Sequence, residues 1–214
     1  MTNPAQETFR LLPKNWIDQF LLFFDKISIF LVRLHVSPNF LSWLGLLAGI
    51  AVGLLYSLEK PLWAALLIFV CGVFDVLDGK VAGRANQKSL YGAIFDSSLD
   101  RYSEFFICLG LAYHFRNHWA IWLVFFTFLG STMVSYTRAR AEGLGIECKV
   151  GIMQRAERIV ILIVGTVVGV IFRVFDPAII SALSLIAFFS HFTSIQRIVL
   201  VKRIEQQKKL EKEV

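Results

Sequence analysis

The chain has 214 residues, 56% of them hydrophobic, a net charge of +6 and a mean hydropathy of +0.62. That length suits one domain, and that composition excludes an ordinary soluble one. The basic residues flank apolar runs instead of clustering with stacking aromatics, which excludes a nucleic-acid surface.

Residues 1–15 read as a polar tail without the charged-then-apolar order of a cleavable signal peptide. Trp16 to Val36 is apolar but carries Asp18, Gln19, Asp25, Lys26 and Arg33 at a spacing of seven, which puts them on one stripe. This predicts an amphipathic helix in the membrane interface; a true span is the rival, disfavoured by its central charges. Ser37-Pro38-Asn39 breaks the helix, with Asn39 as the expected cap of the next. Six spans follow: Phe40 to Leu58, Leu62 to Arg84, Ser89 to Phe115, Trp119 to Ala141, Arg155 to Phe175 and Ala178 to Leu200. Gly45, Gly49 and Gly53 form a small-residue seam on the first. Asp176-Pro177 reads as a turn, and Lys202 to Val214 as a solvated tail.

The fold class is therefore an all-α integral membrane protein, six transmembrane helices preceded by an amphipathic interfacial helix. Its divisions are a tail with juxtamembrane helix at 1–36, a six-span domain at 37–201 and a charged tail at 202–214. Lys and Arg concentrate at 80–88, at 138–158 and at both termini, whereas the opposite side holds Lys60, Arg116 and Arg173. By the positive-inside rule both termini are cytoplasmic. Cys71, Cys108 and Cys148 make neither a disulfide framework nor a metal spacing and read as small buried residues. His114 and His118 are four apart at a loop edge without an acidic third ligand; with His35 and His191 they read as interface residues and not as a metal site.

The most informative stretch runs from Asp75 to Asp100. It sets Asp75, Asp78, Asp96 and Asp100 in membrane-grade sequence. Asp75 and Asp78 are three apart and Asp96 and Asp100 four apart, so each pair shares a helix face. Two helices flanking a loop near Ala85 to Ser89 run antiparallel and bring the pairs level, roughly 9–15 Å from the helix ends. Carboxylates at that depth are costly and repel one another. Lys80, Arg84 and Lys88 lie nearer the loop than the acids. Divalent metal bound through oxygen is the economical neutraliser, and two ions balance four acids in charge.

This stretch resembles the signature of the CDP-alcohol phosphatidyltransferase family, D-x2-D-G-x2-A-R-x8-G-x3-D-x3-D. Asp75, Asp78, Gly79, Ala82, Gly92, Asp96 and Asp100 fall in register; Gly83 occupies the Arg slot and Arg84 follows it. The resemblance implies transfer of a substituted phosphate from a CDP-lipid such as CDP-diacylglycerol to an alcohol, with release of CMP. It implies two Mg2+ or Mn2+ ions, one on Asp75, Asp78 and Asp96 and the other on Asp75, Asp96 and Asp100, with Asp100 as proton acceptor. It further implies that the turn of Pro38, Asn39, Phe40, Leu41 and Ser42 lies beside the nucleotide, that Gly79, Ala82 and Gly92 allow its close approach with Gly83 next to them at the same lipid, and that Arg84 and Ser89 serve the diphosphate. It also implies a homodimer, while the charge asymmetry predicts an active site opening to the cytoplasm.

Arg138, Arg140, Arg155 and Arg158 gather at the same face, and Arg155 and Arg158 share a helix side. Ordinary positive-inside charge or anionic headgroups would also explain them. Arginine nonetheless suits bidentate phosphate recognition, which points to a phosphorylated acceptor. S-Y-T-R-A-R-A-E and Q-R-A-E-R-I resemble the prokaryotic phosphatidylinositol-phosphate synthase branch, which implies inositol 1-phosphate; Gln154 departs from that branch's Glu. Glycerol 3-phosphate is the alternative acceptor. A cation transporter with an intramembrane acidic site is the reading from another class, and the absence of an internal repeat in the sequence speaks against it. The orientation has a direct check. With the native cysteines replaced, a cysteine at position 116 should react with an impermeant reagent from outside, and one at position 86 should not; the reverse pattern would overturn it.

Overall fold

The computed structural model describes residues 14–85 and 89–210, with the side chains of 14–21 and 208 left aside. Within them lie seven α-helices and no strand. They are α1 (Lys14–Arg33), α2 (Pro38–Ser57), α3 (Pro61–Arg84), α4 (Leu90–His114), α5 (Ala120–Gly143), α6 (Arg155–Ile171) and α7 (Phe175–Leu210). Four of them, α2, α3, α5 and α7, are long and apolar enough to cross a membrane. The expected six spans include α4 and α6 as well. Composition and length leave those two out, because α4 carries Asp96, Asp100, Arg101 and Glu104, and α6 has 17 residues. The expected terminal tails at 1–13 and 211–214, the loop at 86–88 with Lys88, and the side chains of Asp18 and Gln19 lie outside the described residues.

Local sequence explains most helix boundaries. Ser37, not Asn39, caps α2: its hydroxyl accepts from Phe40 N at 3.3 Å. Pro38 occupies the first helical position, where its missing N–H costs nothing, so the cap moves one residue upstream. Ser89 likewise caps α4 through Gly92 N at 2.9 Å. Gln154 and Glu157 form a reciprocal capping box on α6. Asp176-Pro177 falls inside α7 and is not a turn, since proline is tolerated in a first turn. The helix also runs past Leu200 to Leu210, carrying most of the expected tail with it. Residues 202–210 are rich in Lys, Glu and Gln, which favour helix, and Glu205 pairs with Lys209 at 2.9 Å.

The packing divides into two groups. α2 lies against α3 and α4, and α7 against α5 and α6; α3–α6 and α4–α5 contacts join the groups. The larger buried core lies at the end remote from the connection between α3 and α4. There Val52, Tyr56, Ile68, Leu111, Phe115, Val124, Ile179 and Leu183 are buried together. Tyr56 and Thr166 satisfy each other inside it, with their hydroxyls 2.6 Å apart. A smaller cluster of Phe24, Leu41, Leu77 and Val81 docks α1 on the bundle.

The α2–α4 contact depends on glycine. A Cβ on Gly110 would run into the backbone of Gly53, one on Gly53 into the Phe106 carbonyl, and one on Gly49 into Ser103. Gly45 differs, since its nearest neighbour would be Phe74 at an ordinary 3.8 Å. The expected seam is thus two glycines of α2 completed by Gly110 of α4, bringing the backbones together as small residues do in membranes. Gly110→Val should destabilise the fold by about 1–3 kcal/mol or more. Thermal unfolding in detergent reads this directly; an unchanged melting temperature would mean that the two helices are free to move apart.

Candidate active site

α3 and α4 bring the aspartates together as their spacing predicts. Asp75, Asp78 and Asp96 each offer a carboxylate oxygen within 4.8 Å of the others. Asp78 is buried, and its Oδ2 accepts from the Ser42 hydroxyl at 2.9 Å. Ser42 thereby ties α2 to the cluster. Three hard oxygen ligands at such close range fit a divalent cation by donor chemistry. Asp100 lines the same small cleft, where its carboxylate is held by an arginine.

Its partner is Arg155. One guanidinium nitrogen, Nη1, donates to both Asp75 Oδ1 and Asp100 Oδ2. From sequence, the nearest fixed cations are Lys80, Arg84 and Lys88 of the Asp75–Asp100 stretch. Two of these, Lys80 and Arg84, are elsewhere, and Lys88 lies outside the described residues. Lys80 and Arg84 both pair with Asp25 of α1, at 2.6 and 2.9 Å, and hold its carboxyl below the usual carboxylate range. The compensating charge comes instead from the first residue of α6.

Beside the aspartates a groove of about 280 Å3 runs between α2, α3 and α4. It is lined by Pro38, Asn39, Gly79, Ala82, Ser89 and Gly92, together with Ser42, Asp78 and Asp96. A Cβ on Gly79 would meet nothing within 4 Å, so its lack of a side chain leaves that wall open. Seven of the eleven residues expected at the CDP-lipid, Ser42 among them, thus share one surface. The other four are elsewhere. Phe40 is exposed, Leu41 is buried at the acid cleft, Gly83 is exposed, and Arg84 is held by Asp25. Helical rotation accounts for Phe40 and Gly83, each one residue on from a groove-lining neighbour.

A second cavity of about 470 Å3 opens on the other side of Asp75, between α5, α6 and α7. Arg138, Arg155 and Arg158 line it, with Ser135, Gln154 and Arg197. Arg140 is exposed on α5 and does not line it. Arg158 is 5% exposed, and its Nε donates to Glu104 Oε1 at 3.1 Å. Its Nη1 and Nη2 are buried without a partner. Glu104 also accepts from Arg101, whose Nη1 reaches Ser135 as well, each at 2.8 Å.

Sequence reading placed Ser42 beside the nucleotide and not on an aspartate, and it missed Glu104 and Arg197. A signal existed for the last two, because each is a charge within a long apolar helix, where charges are seldom idle. Arg197 donates to Val150 O at 2.9 Å and to Val134 O, while Thr193 accepts from Ile152 N and Met153 N at 3.2 and 3.0 Å. α7 thereby pins the loop before α6 and fixes the helix end that carries Arg155 and Arg158.

Comparison with known proteins agrees with this architecture. Residues 35–196 match the model of the CDP-alcohol phosphatidyltransferase family. The chain is 38% identical to archaetidylinositol phosphate synthase of Methanothermobacter thermautotrophicus over 79% of its own length and 85% of the relative's. It is 30% identical to phosphatidylinositol phosphate synthase of Cutibacterium acnes, over 84% and 92%. It also resembles the crystal structure of Mycobacterium tuberculosis phosphatidylinositol phosphate synthase with CDP-DAG bound. The TM-score is 0.74 at 29% identity, covering 83% of this chain and 92% of that one. A structure of the same mycobacterial enzyme in complex with manganese and citrate gives 0.74 at 28% identity, over 82% and 87%. The chain belongs to the CDP-alcohol phosphatidyltransferase family. It is a membrane-bound transferase of phospholipid synthesis, and the transporter reading of its acids falls away.

The Glu104–Arg158 pair is the most buried charge pairing beside the site. Glu104→Gln keeps the shape but leaves Arg158 uncompensated, which should destabilise the protein by about 3–5 kcal/mol. Denaturant or thermal unfolding in detergent would read this; wild-type stability in the variant would contradict it.

Proposed function

We propose that this enzyme transfers the phosphatidyl group of CDP-diacylglycerol, or of a similar CDP-lipid, to inositol 1-phosphate and releases CMP. The carrying observation is the cavity of Arg138, Arg155 and Arg158 beside Asp75, with two buried N–H-bearing nitrogens of Arg158 unpaired. Unpaired buried donors are costly and mark where an anion would be satisfied. A neutral alcohol would not need three arginines; a phosphorylated one would. The names of the archaeal and bacterial relatives support inositol phosphate as the alcohol, and the mycobacterial complex supports a CDP-lipid in the groove.

The CDP-lipid lies in the groove of Pro38, Asn39, Gly79, Ala82, Ser89 and Gly92, its diphosphate toward the aspartates. Asp75, Asp78 and Asp96 would hold one divalent ion, Mg2+ or Mn2+, and Asp75, Asp96 and Asp100 would hold a second; the manganese complex of the relative supports divalent metal use. Bound there, the metal supplies charge stabilisation for the diphosphate and the leaving CMP. The acceptor hydroxyl attacks the phosphorus that carries the lipid, the bond to CMP breaks, and Asp100 takes the hydroxyl proton. Arg138 and Arg158 orient the acceptor phosphate, and Ser42 orients Asp78.

The wider frame rests on the sequence. α2 to α7 cross the membrane, α1 lies in the interface, and the protein divides at 1–36, 37–201 and 202–214. Both termini and the active site face the cytoplasm, and two copies associate as expected for the family. Lys80 and Arg84 remain with Asp25 until the diphosphate recruits Arg84.

An acceptor panel tests the proposal. With labelled CDP-diacylglycerol in proteoliposomes, inositol 1-phosphate should drive CMP release and free inositol should be poor. Arg158→Lys keeps the charge at Glu104 but loses the fork, and should raise the apparent KM for inositol 1-phosphate by about tenfold to a hundredfold with that for the CDP-lipid unchanged. Equal use of inositol would refute the anion site. A preference for glycerol 3-phosphate, with inositol 1-phosphate inert, would keep the phosphorylated acceptor and reject its identity.

A further inference from the structure

Arg155 stands between the two halves of the site. Its Nη1 clamps Asp75 and Asp100, yet the same side chain lines the arginine cavity beside Arg138 and Arg158. Asp75 is the shared member, being both half of that clamp and one of the three carboxylates that converge within 4.8 Å. A guanidinium and a divalent ion on one carboxylate repel each other at short range. They therefore compete for Asp75.

We propose that Arg155 is an internal counter-ion which divalent metal displaces, so that metal binding turns this arginine from the aspartates toward the acceptor cavity. The inference rests on the metal reading given above and adds a coupling between the two sites. Charge sets its direction. Arg155 alone offers one positive charge against four carboxylates, and each divalent ion brings two with closer oxygen contact. Once the carboxylates are so neutralised, the best remaining partner for Arg155 is an anion on its other side. That anion would also meet the unpaired Nη1 and Nη2 of Arg158. By linkage, metal strengthens acceptor binding, and acceptor strengthens metal binding by the same factor. Without metal, the cavity lacks one of the four arginines that line it, which favours loading of metal before acceptor.

The test is a Mn2+ titration of the purified full-length protein without CDP-lipid or acceptor, read by the electron paramagnetic resonance of free Mn2+. Arg155→Gln should bind Mn2+ about tenfold or more tighter than wild type, the equivalent of one charge-assisted contact. Arg138→Gln removes equal charge from the cavity without touching the aspartates, and should stay within about twofold of wild type because exposed charge is screened. Equal or weaker binding by Arg155→Gln overturns the proposal. So does equal tightening in both variants, which would be a general field effect. If no protein binds Mn2+, the metal reading fails and takes this inference with it; ordinary binding with no Arg155 effect sinks the inference alone. A structure of the wild type with Mn2+ needs no variant to fold. It should show the Arg155 guanidinium withdrawn from Asp75 and Asp100, and a guanidinium still held by both contradicts the proposal.

Discussion

Four carboxylates inside an apolar helical bundle cannot stand without positive charge, and much of this structure serves that demand. Asp75 and Asp78 come from α3, Asp96 and Asp100 from α4, and the cation that meets two of them comes from α6. A charge contact made across three helices requires each helix end to be fixed. Close approach of α2 and α4 at Gly53 and Gly110 fixes one side. On the other side Arg197 and Thr193 of α7 bind the loop that leads into α6. Loosening either support would misplace Arg155 relative to the aspartates, at a cost set by unpaired charge in low dielectric.

The two ends of the bundle have different work. At the end remote from the connection between α3 and α4, large apolar side chains fill the space between helices, and one tyrosine–threonine pair satisfies its own polar atoms. At the other end glycine and alanine leave a groove, and buried arginines leave a polar cavity. Rigid packing at one end thus holds open surfaces at the other. The acids lie between the groove and the cavity, which is where a donor and an acceptor approaching from opposite sides would meet.

Features set by local periodicity were legible in the sequence. The aspartate pairs, the groove-lining Gly79, Ala82 and Gly92, and the helices themselves depend on spacing within one or two elements. Features set by docking were not. No spacing between Asp75 and Arg155, 80 residues apart, indicates that they touch. Arg84 is turned away because α1 places Asp25 beside it, and the position of α1 follows from Phe24 meeting Leu41, Leu77 and Val81. Two boundaries moved for steric reasons of proline, at Pro38 and Pro177, where the ring starts a helix and does not end one. Glu104 and Arg197 were visible as charges in apolar helices, but their partners were not.

On this reading the aspartate cluster works through divalent metal held by α3 and α4. Chelation measures this most directly. Purified enzyme in proteoliposomes, supplied with CDP-lipid and acceptor, should lose CMP release completely in excess EDTA and regain it on addition of Mg2+ or Mn2+. Full CMP release in excess chelator would contradict the claim and leave the four carboxylates to be explained by Arg155 alone.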